Sequence, residues 1–316
     1  MSAAPANKRF PYPIPTGWFQ VAWSDDVKPG DVVPLRYFGK DLVLFRDADG
    51  VAAVLDAFCP HLGAHLGHGG KVDGKKLVCP FHAWGFDASG ACAEIPYATK
   101  IPKQAKVRCW TVAERHGWIL VWHALDGSAP TWEHPDVPEY GHAEWTEYHK
   151  LDWKIRTCNQ EMAENSVDGA HFLYLHGTAE MPKTTAHFEG PHFHAESTTA
   201  MTTPMGRVDG NIVVDEWGFG FTTTRFLGLV ETLLISSATP IDDENVHIRF
   251  SFTVKKFGGR GITSGVGKAF VAEISRQLEQ DIPIWENKVF LDRPVLCDGD
   301  GPIGLLRTWA RQFYQG

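Results

Sequence analysis

The sequence predicts an α+β protein with an all-β N-terminal domain and a C-terminal domain in which helices flank an antiparallel sheet. Up to about residue 125, short apolar runs are separated by Gly-Lys and Asp-Gly turn signals, which is typical of short strands. Farther along, NVHIRFSFTV at 245–254 alternates apolar with polar residues, which predicts a half-buried antiparallel strand. Residues 159–175 have helical spacing instead, and a second helix of roughly 20 residues is expected from about residue 268.

The domain boundaries follow from length and composition. A chain of 316 residues can form two domains. The segment HALDGSAPTWEHPDVPEYG, residues 123–141, is rich in Pro, Gly, Asp and Glu, which indicates a linker. We therefore expect four segments, namely an N-terminal extension at 1–16, a first domain at 17–125, a linker at 126–144 and a second domain at 145–316.

The composition excludes several classes of protein. The formal net charge is -8 and no segment is densely basic, so we expect no nucleic-acid partner. The apolar stretches are too short for a transmembrane segment, and the N-terminus has prolines where a signal peptide needs an apolar core. Six unevenly spaced cysteines do not resemble a secreted disulfide framework, so we expect a cytoplasmic protein. Four of the six stand alone and are expected to be buried, inert thiols: Cys92, Cys109, Cys158 and Cys297.

A first metal site is predicted by two short motifs that each combine one cysteine with one histidine, Cys59-x-His61 and Cys79-x-x-His82. Two cysteines and two histidines can hold tetrahedral zinc, but zinc fingers usually place both cysteines in one motif and both histidines in the other. Mixed motifs favour a Rieske [2Fe-2S] cluster, in which two cysteines hold one iron and two histidines hold the other. Zinc is the alternative. The nearby His65 and His68 are expected to be loop residues rather than ligands.

A second metal site is predicted in EMAENSVDGAHFLYLHG, residues 161–177. His171 and His176 are five residues apart, and a straight helix would rotate them away from a common point. We therefore expect the helix to bend or end before His176, with Gly177 as the stop signal. Two histidines and one carboxylate form the facial triad of non-haem Fe(II) oxygenases.

The expected carboxylate of this triad is Asp281. It falls on one mostly apolar helical stripe, and an acid on a buried stripe needs a partner, which a metal would provide. Asp292 and Glu279 are alternative ligands, and a buried ion pair is the alternative without a metal. The other members of the stripe are Ile274, Leu278 and Trp285.

Several polar residues near these motifs are not expected to bind metal. Asp168 is expected to accept a hydrogen bond from the far ring nitrogen of His171 and so to fix its tautomer. Glu161 and Glu164 are expected on a solvated helix face. A histidine cluster in AHFEGPHFHAE lacks a carboxylate at ligand spacing, so its members are expected to be structural or exposed: His187, His192 and His194.

Taken together, the two Cys/His motifs, the run Asn165-x-x-Asp168-x-x-His171-x-x-x-x-His176 and the late Asp281 resemble the terminal oxygenase component of Rieske non-haem iron oxygenases. The resemblance spans nearly the whole chain. It implies a helix-grip type of catalytic domain that holds a mononuclear Fe(II) through His171, His176 and Asp281. It also implies a [2Fe-2S] cluster in the first domain, held by Cys59, His61, Cys79 and His82.

The resemblance further implies an assembly and an electron supply. Members of the family typically form head-to-tail homotrimers, in which Asp168 would bridge an iron ligand to His82 of the next subunit. Electrons would come from NAD(P)H through a separate reductase, because the chain shows no convincing FAD or dinucleotide-binding motif. Dioxygen would be the co-substrate.

Two stretches indicate a branch of this family. Residues 95–110 and the C-terminal stretch from 281 resemble 3-ketosteroid 9α-hydroxylase oxygenase components and cholesterol 7-desaturases, which implies hydroxylation or desaturation of a steroid or sterol. In DEWGFGFTTTRF, alternating aromatic residues predict a strand whose aromatic face either lines an apolar pocket or belongs to the core. The candidate pocket residues are Trp217, Phe219 and Phe221, with Phe172, Tyr174 and Phe226.

Two other functions stay open at this point. One is the same chemistry on an aromatic acid or on a methyl group bound to oxygen or carbon, as in a demethylase. The other is a Rieske electron-transfer protein without oxygenase activity. Ala64 stands where respiratory-type Rieske loops commonly have a further cysteine, which favours the ferredoxin or oxygenase branch.

Overall fold

The computed structural model describes residues 9–203, 206–228, 231–256 and 266–315. The chain forms two compact units, one of residues 18–130 and one of residues 131–316 together with 1–17. No helix in these described ranges is long and apolar enough to cross a membrane.

The first unit is all β, as predicted, and residues 18–130 contain no α-helix. Its strands form three small sheets with the orders β1-β10-β9, β2-β3-β4 and β5-β6-β7-β8. A two-residue turn, Phe38-Gly39, joins β2 to β3, and both of its residues have positive φ, as a tight hairpin requires. The strands are β1 Gly17–Trp23, β2 Val32–Tyr37, β3 Lys40–Arg46, β4 Ala52–Asp56, β5 Lys71–Asp73, β6 Lys76–Val78, β7 Gly85–Phe86, β8 Cys92–Glu94, β9 Val112–Arg115 and β10 Trp118–His123.

The second unit contains one antiparallel sheet of seven strands with the order β11-β17-β16-β15-β14-β13-β12. Helices precede β12 and follow β17, which gives the predicted α+β arrangement. The strands are β11 His149–Ile155, β12 Lys183–Glu189, β13 His192–Thr203, β14 Gly206–Trp217, β15 Thr222–Leu227, β16 Thr232–Pro240 and β17 Val246–Val254. The helices are α1 Asn159–Glu164, α2 Gly169–Tyr174, α3 Val266–Asn287 and α4 Ile303–Ala310.

The core of the second unit lies between the sheet and α3. Leu278 and Trp285 of α3 pack in one apolar cluster with residues of β16 and β17 such as Leu234 and Ile248. The predicted strand at 245–254 is β17, but all nine of its residues are buried, rather than every second one. Both faces of this strand are covered, so the polar positions of its alternation, such as His247, are buried as well.

The predicted single helix at 159–175 is two short helices instead. A turn of 3-10 helix, Asn165–Val167, follows α1, and Asp168 then takes an extended conformation with φ -89° and ψ 94°. The Asp168 carboxylate accepts hydrogen bonds from the backbone N–H groups of Ala170 and His171 and so caps α2. Aspartate favours such a cap over the helix interior, which is why the helical pattern is interrupted here.

The predicted strand through residues 215–226 is also interrupted. β14 ends at Trp217 and β15 begins at Thr222, because Gly218 turns the chain with φ 64°. A Cβ at position 218 would lie 3.1 Å from the Trp132 ring, so close packing as well as the positive φ favours glycine here. The aromatic alternation of this stretch therefore belongs to a hairpin turn and not to one sheet face.

Candidate metal centres and substrate cavity

The four residues of the two Cys/His motifs lie together at the tips of two neighbouring loops. The rings of His61 and His82 have centroids 4.6 Å apart, and the Trp84 ring stacks on His61 at 4.7 Å. Cys59 and Cys79 are buried in the core of the first unit. Each loop folds back through a backbone hydrogen bond from the fourth residue after the cysteine, Gly63 N to Cys59 O and Ala83 N to Cys79 O. The motifs thus converge as a Rieske site requires.

Two features of the side chains fit a bound [2Fe-2S] cluster. Nδ1 of His61 is buried and has no hydrogen-bond partner, which is costly unless another group occupies that direction. Burial raises the pKa of the Cys59 thiol to about 11, with the neighbouring Cys79 adding to the rise. Two buried thiols side by side gain stability when a metal replaces their protons. The donor set therefore fits the cluster.

Near this site, the backbone conformation of Ala83 and the contacts of the His65 ring are distinctive. Ala83 has φ 57°, in the left-handed region that favours glycine, as does Gly63 at the equivalent position of the other loop with φ 75°. Nδ1 of His65 accepts a hydrogen bond from the backbone N–H of Gly67. The His65 ring neighbours that of His68, at 4.4 Å between centroids, and not those of His61 and His82.

The second predicted site is brought together from three elements. His171 lies in α2, His176 follows the end of that helix, and Asp281 lies in the middle of α3. One possible ligand atom from each side chain can be chosen so that all three lie within 4.8 Å of one another. As expected from the five-residue spacing, α2 ends at Tyr174 and Gly177 has φ 74°.

Each histidine of this site is oriented through its Nδ1 atom. Nδ1 of His176 hydrogen-bonds Oε1 of Gln280 at 3.1 Å, and its Nε2 lies 3.5 Å from Oδ1 of Asp281. Nδ1 of His171 hydrogen-bonds the backbone carbonyl of Asp168. Because each Nδ1 is engaged in a hydrogen bond, Nε2 is the ring nitrogen left to face a metal together with the Asp281 carboxylate. The set fits a mononuclear iron of the two-histidine, one-carboxylate type.

The alternative carboxylates lie elsewhere. Glu279 and Asp292 are exposed, whereas Asp281 is buried, as are Leu278 and Trp285 of its predicted stripe, and Ile274 is partly buried. Asp292 accepts a hydrogen bond from the Tyr12 hydroxyl. Pro283 lies within α3 and has no N–H, so the helix lacks one of its hydrogen bonds in the turn that contains Asp281.

Asp168 contacts His171 differently from the prediction. Nδ1 of His171 hydrogen-bonds the backbone carbonyl of Asp168, while the carboxylate caps α2 through Oδ1 and its Oδ2 lies 3.8 Å from Nδ1. The Asp168 side chain is about one-third exposed, at 32%. The carboxylate is therefore partly accessible to groups outside the site.

A cavity of about 210 Å³ opens beside the second site. His171, His176 and Asp281 are part of its wall, and the sheet face formed by β13 to β17 is its floor. Most of the wall is apolar, and three of the six predicted aromatic residues line it: Phe172, Phe219 and Phe226. The prediction is wrong for Tyr174, which is 84% exposed, and Phe221 and Trp217 are not part of the wall.

Two glutamates expected on a solvated face are buried. Glu164 pairs with the Arg307 guanidinium, with Nε to Oε1 at 2.8 Å and Nη2 to Oε2 at 3.1 Å. Glu161 lies within 4 Å of the cations of Arg9 and Lys288. Their partners come from distant parts of the chain, which spacing within one helix does not reveal. Among the lone cysteines, the prediction of burial is wrong for Cys109 and Cys297, which are exposed.

Two further groups were missed by sequence reasoning. Oδ1 of Asp215 hydrogen-bonds both His192 Nε2 and His194 Nδ1, each at 2.8 Å, so this histidine cluster does have a carboxylate. Asp215 comes from the next strand, directly opposite His194. Glu216, its neighbour, points to the other sheet face and into the cavity. Only the pairing of β13 with β14 places these residues together.

Comparison with known proteins gives two family matches. Residues 17–110 match the Rieske [2Fe-2S] domain, and residues 121–314 match the 3-ketosteroid 9alpha-hydroxylase C-terminal domain. The 3-ketosteroid-9-alpha-monooxygenase oxygenase component of Rhodococcus rhodochrous is 32% identical, over 99% of this chain and 84% of that protein. Cholesterol 7-desaturase nvd of Xenopus laevis is 30% identical, over 95% of this chain and 72% of that protein.

Solved structures share the fold. Dicamba monooxygenase bound to dicamba superposes with a TM-score of 0.78, covering 95% of this chain and 97% of that chain at 18% identity. NdmA of Pseudomonas putida CBB5 with caffeine gives a TM-score of 0.77, covering 93% and 89% at 19% identity. At such identities the likeness concerns the fold alone.

Proposed function

This chain belongs to the Rieske oxygenase family of 3-ketosteroid 9α-hydroxylase oxygenase components, and on that premise we propose that it hydroxylates or desaturates a steroid- or sterol-like substrate with O2. The observation that best supports this is the cavity, which places a two-histidine, one-carboxylate set in the wall of a mostly apolar space. The relatives named for 3-ketosteroids and cholesterol supply the substrate class.

The residues of the chain have distinct parts in this chemistry. When bound, the Rieske cluster supplies single electrons and the mononuclear iron supplies dioxygen activation. His171, His176 and Asp281 would hold the iron, while Gln280 and the Asp168 carbonyl keep the imidazole protons on Nδ1. The apolar wall excludes water and orients a flat ring system. The cavity is smaller than the ~300 Å³ lower limit of drug-sized sites, so we expect wall side chains to move when a four-ring skeleton binds.

The electron donor is a separate reductase that uses NAD(P)H, and its docking requires an exposed surface near the cluster. Leu62 and Phe81, next to the two histidine ligands in the sequence, are 65% and 60% exposed. Exposed apolar side chains at a loop tip are typical of a surface that another protein covers. The six unpaired cysteines favour a reducing, cytoplasmic setting.

We further propose a head-to-tail homotrimer in which Asp168 faces His82 of the next subunit. The accessible carboxylate of Asp168 supports this, because its backbone carbonyl already orients His171. Replacement Asp168→Asn keeps an α2 cap but removes the charge, whereas Asp168→Ala removes both. Both variants should retain iron and the cluster yet lose NADH-driven turnover. Turnover at the wild-type rate in Asp168→Asn with full metal content would contradict the relay.

The proposed function is tested by product analysis. Iron-loaded protein, a generic ferredoxin-type reductase and NADH are supplied with ketosteroids, sterols, aromatic acids and aryl methyl ethers, and products are identified by mass spectrometry. Oxidised or desaturated steroid products are expected. Products from the aromatic acids or methyl ethers alone would favour the demethylase alternative.

Metal analysis separates the oxygenase from an electron carrier. We expect about three irons per chain, two from the cluster and one from the His171 site. Two irons per chain, with none lost in His171→Ala, would identify an electron-transfer protein. Zinc without a Rieske EPR signal would identify a zinc protein.

A further inference from the structure

One end of the cavity floor is polar and the rest is mostly apolar. Glu216 of β14 lies directly opposite Thr222 of β15, which lies directly opposite Ser236 of β16. All three line the cavity, so they form one polar row across three strands. Four residues earlier in β14, Ile212 lies opposite Phe226 of β15, and this pair is apolar. At ~3.3 Å per residue, the polar row and this pair are about 13 Å apart.

The row has unused hydrogen-bonding capacity. Within the described part of the chain, neither the Thr222 nor the Ser236 hydroxyl has a hydrogen-bond partner. Glu216 is 3% exposed, and its Oε1 lies 2.8 Å from the Ser166 hydroxyl. Among the described residues, no Lys, Arg or His forms an ion pair with it. A side chain buried in this way, next to an open cavity, can hydrogen-bond to a ligand.

The protonation state of Glu216 determines which ligand group it can bind. Burial raises the pKa of its carboxyl to about 7, and the Ser166 hydrogen bond only partly offsets this. A buried carboxyl that has no cation beside it favours its neutral, protonated form. The single Ser166 hydroxyl proton lies within reach of both the Ala163 carbonyl and Oε1 of Glu216, and when it is donated to Oε1, the O–H on the other Glu216 oxygen is free to donate to a ligand. A neutral donor matches an uncharged acceptor, and a ligand carboxylate would be disfavoured there.

We propose that Glu216, Thr222 and Ser236 form a subsite for a ketone oxygen at one end of a flat apolar substrate. This deepens the proposed function, on which it rests, by assigning substrate selectivity to the polar row. The apolar skeleton would extend along the strands toward Ile212 and Phe226. A substrate without the oxygen leaves the row unpaired, and this penalty produces the selectivity.

Equilibrium binding to iron-loaded, unreduced protein tests the subsite without turnover. Three matched four-ring compounds are compared, a ketone, its alcohol and its deoxygenated hydrocarbon. Wild-type protein should bind the ketone at least about tenfold more tightly than the hydrocarbon, with the alcohol between them. Glu216→Leu should reduce this ratio to near one, whereas Glu216→Gln, which keeps an N–H donor, should retain most of it.

Control variants separate the subsite from general effects. Thr222→Val keeps the shape of the row and should lower the ketone-to-hydrocarbon ratio severalfold. Ser197→Ala removes a cavity hydroxyl outside the row, one that is already bonded to Thr184, and should leave the ratio unchanged. If steroids bind but Glu216→Leu and Thr222→Val both keep the wild-type ratio, the subsite is wrong. If no steroid binds wild-type protein, the proposed function itself fails.

Discussion

At the residue scale, groups that bind no metal orient the two histidines of the proposed iron site. Gln280 does not bind metal in the proposed site, yet its amide oxygen determines which nitrogen of His176 carries the proton. The Asp168 carbonyl does the same for His171. Hydrogen bonds of this kind typically change metal affinity by roughly 10- to 100-fold. The proposed iron site would thus depend on more residues than its three candidate ligands.

Replacement Gln280→Leu tests this role. The variant should bind iron roughly 10- to 100-fold more weakly, because His176 loses the partner that fixes its tautomer. Iron content after dialysis against a graded chelator measures the change. Gln277→Leu, one turn earlier in α3, removes an amide that bonds Glu273 and should keep wild-type affinity. Equal iron loss in both variants would indicate a general effect on the helix.

Glu216 predicts a pH dependence of stability. Its folded-state pKa is about 7 against an ordinary value of 4.5, so between these pH values the folded chain holds a proton that the unfolded chain releases. Wild-type stability therefore falls as pH rises through this window, by an amount on the order of a few kcal/mol. Glu216→Gln cannot ionise and should gain stability relative to wild type from pH 4.5 to pH 7. Thermal melts of both proteins across this range check it, and a constant difference would contradict it.

At the element scale, close backbone packing holds the helices that carry the proposed iron site. A Cβ at Gly301, in the loop before α4, would lie 1.7 Å from the Val167 carbonyl, just before α2. Glu164 of α1 and Arg307 of α4 form a largely buried, two-point ion pair nearby. The C-terminal residues therefore support the segment from which His171 and His176 project.

Replacement Gly301→Ala should displace that segment. We expect a lower melting temperature and lower iron occupancy, because backbone atoms on both sides must move apart. Gly304→Ala is the matched control, since a Cβ there meets nothing within 4 Å and alanine favours a helix by up to about 1 kcal/mol. Unaltered iron occupancy in Gly301→Ala would show that this contact does not position the site.

At the scale of the whole molecule, the proposed homotrimer makes each active site depend on two subunits. A head-to-tail ring pairs the cluster of one chain with the iron of the next. A chain that lacks either metal is then inactive by itself but can still complete a site with a suitable neighbour.

Co-expression of two inactive variants tests this arrangement. His82→Ala should lack the cluster and Asp281→Ala should lack the mononuclear iron, so neither is active alone. Mixed trimers should recover a measurable fraction of wild-type turnover, because some neighbouring chains supply complementary metals. Separately purified proteins that are mixed without exchange serve as the control. No activity in mixed trimers of confirmed composition would contradict electron transfer between subunits.

The sequence alone predicts the fold class, the family and two groups of candidate metal-binding residues. These features rest on short-range patterns, such as two mixed Cys/His motifs, a histidine pair with a helix end between them, and an acid on an apolar stripe. Each of these patterns is set by the geometry of a single element, so it can be recognised without knowing the rest of the fold.

The three-dimensional structure was needed to show which distant groups meet. Gln280 reaches His176, Arg307 reaches Glu164, and Asp215 reaches two histidines because separate elements pack together. The polar row through Glu216 depends on strand register, which hairpin turns and the packed core set jointly. Burial of a charged or polar side chain depends on its surroundings in three dimensions, and spacing along one helix or strand does not contain that information.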